Sequence, residues 1–357
     1  NNLTSKKNIT GCGVCAQICP QRAITLKPDK EGFLYPSFNE SLCTHCNLCI
    51  QKCPCHKTTT TDHKNLYFGA HAKEPSLRLL GSSGGIFPLL ARHVLQQGGV
   101  VYGACLMEDG SIAHKGIDKI ADLEQITRTK YVQSDLSNIW EPIRSFLHEG
   151  RMVLFCGTPC QTEGLRFYLE TAYSNLLLVD LVCYGVPSPG IWQRYITFLH
   201  KKYDSRPHMF YFRDKCNPDN GHSVKIQFID KEYTYSVHKD LFSDPSSRAS
   251  IYAPPATTAA IARFPETVTS LWEISGGLSA LIRLSMTEWE IHHNMPYTKG
   301  TLLFNNIKNQ LIWFQYEEHE ITQPRLQKPT KCPPTRWIYM LLYRILPFSL
   351  WIRLFKV

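Results

Sequence analysis

Cys43-Thr44-His45-Cys46-Asn47-Leu48-Cys49-Ile50-Gln51-Lys52-Cys53-Pro54 is the stretch from which the architecture is read. Its spacing, C-x2-C-x2-C-x3-C-P, wraps three thiolates around one iron–sulfur cube and sends the fourth to a neighbouring cluster. A zinc ribbon wants two separated cysteine pairs, so the pattern selects iron–sulfur over zinc. By the crossing rule Cys43, Cys46 and Cys49 join Cys19 in an intact 4Fe-4S site. A related unit, Cys12, Cys15 and Cys19-Pro20, precedes it, which makes the opening segment a local internal repeat. That unit departs from the pattern at Ile9, where a further cysteine is expected. The other site therefore has Cys12, Cys15 and Cys53 without a fourth thiolate. Three outcomes stay open there: a 3Fe-4S centre, a solvent or nearby side chain such as Cys55 as fourth ligand, or no cluster.

Composition narrows the class. The chain has 357 residues, 43% apolar and 19% charged, enough for two or three domains with a sizeable core, and this excludes a disordered tail protein. Lysine plus arginine outnumber aspartate plus glutamate by 39 to 30, a net charge of +9. No dense basic block with interleaved aromatics stands out, so no nucleic-acid partner is expected, and the charge reads as a mild bias toward acidic partners or lipid headgroups. No run of 18 uncharged apolar residues occurs, and the first thirty residues lack the basic-then-apolar order of a signal peptide. A cytoplasmic protein is expected. Seven of the 14 cysteines sit in the two opening clusters, a usage that suits metal in a reducing compartment.

The expected fold class is α/β, with a small ferredoxin-like α+β iron–sulfur domain over 1–60 and, over 66–240, an α/β domain that only its family resemblance makes flavin-binding. Thr58 to Lys64 is a polar linker, and a new domain starts near Leu66. Val100 to Leu106, Met152 to Cys156 and Leu176 to Cys183 read as strands, while Ile86 to Gln97, Gln161 to Glu170 and Ile191 to Lys202 carry helical spacing. Strands alternating with helices predict a parallel sheet, whose ligands bind in loops leaving the carboxyl ends of strands. Residues 241–330 lose any clear period, with Pro254-Pro255 and an Ala/Thr-rich stretch from Ala256 to Ala262. Residues 331–357 form a basic, apolar helical tail broken by Arg344, Pro347 and Arg353, read as an interfacial or docking helix pair or as helices packed on the protein itself. Peripheral membrane contact through this tail is one expectation.

Several loops carry candidate chemistry. Ser82-Ser83-Gly84-Gly85 directly precedes a helix and reads either as a phosphate cradle or as a plain N-cap. Lys130-Tyr131-Val132-Gln133-Ser134 gathers a cation, an aromatic ring and polar groups in one loop. Cys156-Gly157-Thr158-Pro159-Cys160-Gln161 runs from a strand end through a Gly/Pro turn into a helix, a place for a reactive thiol or an anion-binding amide nest. Cys105 and Cys183 read as buried structural cysteines.

Together these strings, with Gly98-Gly99-Val100-Val101-Tyr102-Gly103-Ala104, Gly157 to Leu165 and Gly185-Val186-Pro187-Ser188-Pro189, resemble the coenzyme factor-420 (deazaflavin) hydrogenase/dehydrogenase beta-subunit family over roughly residues 1–240. The resemblance implies FAD beside the clusters, with Ser82, Ser83, Gly84, Gly85, Lys130, Tyr131, Gln133, Ser134, Gly157, Thr158, Pro159, Cys160 and Gln161 as candidate flavin-site residues. It implies an oxidoreductase that moves electrons between a two-electron carrier, a deazaflavin-type or other small redox substrate, and one-electron 4Fe-4S centres. Ferredoxin or a redox subunit would be the protein partner. Tyr184 departs from relatives, many of which have histidine there. The family's later cysteine strip and its aspartate-phenylalanine-tryptophan-glycine string are missing between residues 243 and 300, and a shifted reading frame would restore both, at Ala256 to Ala259 and at Glu273 to Gly277. These departures favour the alternative, a non-catalytic electron-transfer or scaffold subunit with a decayed active site.

Overall fold

The computed structural model describes residues 9–56, 66–181, 183, 185–215, 223–240, 242–243, 269–273, 280–284, 299–317 and 336–354. The opening unit is built from helix α1 (Val14–Gln17), strands β1 (Ile24–Pro28) and β2 (Leu34–Phe38), and helix α2 (Leu48–Gln51). The two strands form an antiparallel hairpin with Ile24 opposite Phe38. Its turn closes because the Asp29 carboxylate accepts the backbone N–H groups of Glu31 at 2.9 Å and Phe33 at 3.1 Å.

The next elements are β3 (Leu66–Ala72), α3 (Pro75–Leu80), α4 (Ile86–Gln96), β4 (Val100–Leu106), β5 (Ile112–Ile117), α5 (Leu123–Ile126), α6 (Trp140–His148), β6 (Val153–Gly157), α7 (Pro159–Leu169) and β7 (Leu176–Leu181). Then come α8 (Pro189–Tyr203), β8 (Met209–Asp214), β9 (Ser223–Gln227), β10 (Glu232–Ser236), β11 (Thr269–Glu273), β12 (Ala280–Leu284), α9 (Lys299–Ile307), β13 (Leu311–Tyr316), α10 (Arg336–Ile345) and α11 (Phe348–Leu354). Among the described residues the main sheet runs β13-β3-β12-β11-β7-β6-β4-β5. Strands β4, β6, β7 and β11 are mutually parallel, whereas β5, β12, β3 and β13 join by antiparallel pairing. The expected parallel sheet is thus a mixed one. The five residues between Leu106 and Ile112 allow only a hairpin return, because a parallel crossover needs a dozen residues or more.

The period-two alternation of the central strands sorts two cores. Val100, Tyr102, Val153, Phe155 and Leu176 face α6 and α7, while Val101, Leu154, Cys156 and Val179 face α4 and α9. Both faces of the sheet are therefore covered, which is why these strands read as near-continuous aliphatic runs. Cys12 and Val14 of the opening unit belong to the same core as Val100, Trp140 and Phe155, so the cysteine-rich segment is built onto the sheet.

A second sheet, β10-β9-β8, packs on α8 around Trp192, which is buried among Phe210, Phe212 and Phe242 and donates its indole N–H to the Gly110 carbonyl at 2.7 Å. Helices α10 and α11 close this cluster with Met340, Tyr343, Phe348 and Trp351. The Arg194 guanidinium donates to the carbonyls of Tyr343 and Leu346. The tail thus packs on the protein's own surface, leaving Trp337 and Ile345 about two-thirds exposed on the other side. No helix among the described residues is long and apolar enough to cross a membrane. Tyr184, the Pro254 to Ala262 stretch, and all of the two re-read strings except Glu273 lie outside the described residues.

Candidate metal centre

Cys19, Cys43, Cys46 and Cys49 line one cavity, walled by Ile24, Phe38 and Ile50. The sequence brings them there by local winding: His45 and Asn47, between the cysteines, take left-handed conformations with φ of 55° and 61°. Such turns let a short loop point successive thiols to one side. The Cys19 sulfur also accepts the backbone N–H of Ala23 at 3.3 Å, the kind of hydrogen bond that tunes a cluster. Cys46 is exposed and the other three are half-buried. These are the four residues that the crossing rule groups. Among the described residues no three His, Cys, Asp or Glu side chains converge on a single metal ion. A cube with a separate iron for each thiolate asks for a wider arrangement around an opening, and the cavity fits that demand.

The second group is buried. Cys12, Cys15 and Cys53 are each less than a tenth exposed. Burial is the chief reason the Cys12 thiol is pushed up to about 12 and the Cys15 thiol higher, with neighbouring thiols adding to both. Cys53 is raised mainly by its hydrogen bond with Cys55, which lowers Cys55 in turn. Metal binding reverses this cost, since ligation removes the thiol proton outright.

This buried group abuts α7. A Cβ on Gly164 would lie 3.4 Å from Cys12 Cβ and 3.6 Å from its sulfur. Cys160, near the start of the same helix, interacts electrostatically with Cys12 and is hydrogen-bonded to the Thr158 hydroxyl at 3.3 Å. The contact is held from several directions. Gly11 has φ of 74°, a left-handed conformation that favours glycine, and the Gln133 amide lies against it, its Nε2 2.1 Å from where a Cβ would stand. Gln133 Oε1 accepts the Leu34 N–H at 3.4 Å, the Ser188 hydroxyl donates to the Glu31 carbonyl, and Arg336 pairs with Glu31.

The other sequence-nominated residues fall in two groups. Thr158, Gln161 and Ser134 come together: Thr158 and Gln161 form a capping box on α7, and Gln161 Nε2 donates to the Ser134 hydroxyl at 3.0 Å. That hydroxyl meets His114 Nδ1 at 2.9 Å, while His114 Nε2 meets the Cys156 carbonyl at 2.9 Å. With Nε2 donating to the carbonyl and Nδ1 accepting from Ser134, the ring is neutral, and burial pushes its pKa down to about 4. Sequence reasoning missed His114; a histidine inside a strand of otherwise apolar inward positions was the available signal. Gly157 and Pro159 shape the turn that carries this network.

Lys130 is directed elsewhere, donating to the carbonyls of Gln125 and Thr127, and its burial lowers its pKa to about 8. Tyr131 meets Phe212 edge-on at 5.8 Å. In the turn before α4, the Ser82 hydroxyl accepts the Thr129 N–H at 2.7 Å, the Ser83 carbonyl accepts from Lys215, the Gly84 carbonyl accepts the Ala72 N–H, and Gly85 starts the helix without a side-chain cap. Gln133, Ser134, Gln161 and Lys130 thus direct hydrogen bonds within the protein. The flavin expectation rests on the family resemblance.

Comparison with known proteins bears on both halves. Residues 10–57 match the 4Fe-4S dicluster domain, and residues 150–241 match the carboxyl-terminal region of the coenzyme F420 hydrogenase/dehydrogenase beta subunit. The family resemblance holds. The matched region 150–241 contains β6, α7, β7, α8 and the second sheet, and the matched region 10–57 contains both thiol groups. Among solved structures, the F420-reducing NiFe hydrogenase complex from Methanosarcina barkeri is similar at 14% identity, over 82% of this chain and 90% of that chain, with a TM-score of 0.43. No curated protein matches the chain.

Proposed function

We propose that the chain is an iron–sulfur electron-transfer subunit of an oxidoreductase, taking electrons singly at its exposed thiol cavity and passing them inward toward the beta-subunit module. The observation that carries this reading is the grouping of Cys19, Cys43, Cys46 and Cys49 around one surface opening, with the buried thiols behind it against α7. A bound 4Fe-4S cluster supplies one-electron chemistry. The protein's own part is to hold the thiolates, donate the Ala23 N–H to one sulfur, and exclude water from the inner group. Its partner is a redox protein, ferredoxin or a neighbouring subunit, that reaches the Cys46 face.

A second reading adds a flavin at the carboxyl edge of the sheet and makes the chain a catalytic oxidoreductase for a deazaflavin-type or other two-electron carrier. It is favoured by the contact of Cys12 with α7, whose opening turn is one of the candidate flavin-site strings. Purification without oxygen separates the two: iron and acid-labile sulfide without a flavin absorption band support the relay, and a band that bleaches with reductant supports the flavoprotein. Colourless, iron-free protein overturns both.

A further inference from the structure

We infer that Cys55 supplies the thiolate that Ile9 does not, joining Cys12, Cys15 and Cys53 as the fourth ligand of the inner cluster. This deepens the iron–sulfur reading above and rests on it. Cys53 and Cys55 are hydrogen-bonded thiol to thiol across Pro54, in a single 3-10 turn closed by the His56 N–H on the Cys53 carbonyl at 3.1 Å. Cys55 packs with Cys15, Ile24 and Cys53 in one small apolar cluster and interacts with Cys12 across it. These contacts link the buried thiols into one set.

An independent observation marks the set as a ligand site. Thr10 Oγ1 is buried, and the polar groups it faces are the thiols of Cys12, Cys55 and Cys160, which converge on this one hydroxyl. Thiolate sulfurs carrying negative charge would give it an acceptor.

Cys160 is the competing fourth ligand. It approaches Cys12 and Cys55 from α7, with its sulfur against Thr158 and with Cys183 behind it. Cys55 stands on the dicluster segment itself, beside Cys53, so it belongs to the set whichever way the α/β body moves. Ligation exchanges the S–H bond of Cys55 for an S–Fe bond and releases the proton to solvent; no electron changes hands.

The full chain, prepared without oxygen, is compared with its Cys55→Ala, Cys160→Ala and Ile9→Cys/Cys55→Ala variants by iron content and by paramagnetic resonance of the oxidised protein. The wild type should show no three-iron signal. Cys55→Ala should lose about one iron atom per chain and gain that signal, Cys160→Ala should resemble the wild type, and Ile9→Cys should restore the four-iron state. A wild-type three-iron signal that Cys55→Ala leaves unchanged overturns the inference, as does conversion by Cys160→Ala alone. Those results leave the iron–sulfur reading standing, whereas iron-free wild-type protein removes both.

Discussion

The two thiol groups of the dicluster segment share a repeat but not an environment. The outer one opens to solvent, with Cys46 exposed, while the inner one is covered on the side of the sheet by α7 and Trp140. A cluster's potential responds to burial and to hydrogen bonds at its sulfurs, so clusters held at two such places would differ in potential. The difference also explains where a departure from the repeat is tolerated. Ile9 precedes the inner cysteines by three residues, and the half-buried Cys55 thiol stands beside Cys53 in that set; the outer four cysteines line one cavity.

The sharpest way to break that comparison is Cys46→Ser. It should remove the outer cluster and roughly half of the iron per chain, leaving the inner signal in place. Loss of both signals would show that the inner site has no independent integrity. Next in size is Gly32→Ala. Gly32 holds φ of 82°, and its Cβ would stand 2.6 Å from Gly190 Cα, so the hairpin would be forced off α8. A destabilisation of about 1–3 kcal/mol is expected from denaturant unfolding of the cluster-loaded protein.

His114 gives a pH-dependent test of the body against which the inner site rests. Its folded pKa lies below the unfolded value of 6.5, at about 4, so between those values the unfolded chain binds more protons. Stability attached to neutral His114 is therefore full above about 6.5 and declines as pH falls toward about 4, at no more than about 1.4 kcal/mol per pH unit. His114→Asn should flatten that part of the stability curve. Acid loss of iron is common to both proteins and drops out of the comparison. The smallest expected effect is that of Gly164→Ala, whose added carbon meets Cys12 and Trp140 at ordinary contact distances of 3.4–3.6 Å. It should leave the inner cluster's spectrum unchanged, whereas Gly164→Val should perturb it.

Much of this was legible in the chain. The cysteine spacing names the outer set because ligand geometry is local, needing only a few residues and a loop that winds. The strands 100–106, 153–157 and 176–181 were visible as aliphatic runs, and the helices 86–96, 159–169 and 189–203 by their apolar spacing. What was not legible depends on distant partners. Nothing near Leu66 says that β3 sits between β12 and β13, since that pairing is set by residues far along the chain. Lys130 and Gln133 stand in one polar loop, and nothing local says that the first donates to two carbonyls or that the second meets Leu34 of the opening unit. A hydrogen-bond partner chosen by packing leaves no local signature.

The placement of β3 has a consequence for how the protein is made. Leu66 to Ala72 leave the ribosome early, but the strands that flank them, 280–284 and 311–316, follow only when most of the chain has been synthesised. The cysteines, by contrast, precede β3 in the chain, and α7 emerges well before the sheet's last strands. The edges of β3 therefore stay open until those late strands are made, while the cysteine-rich segment can already dock on α7.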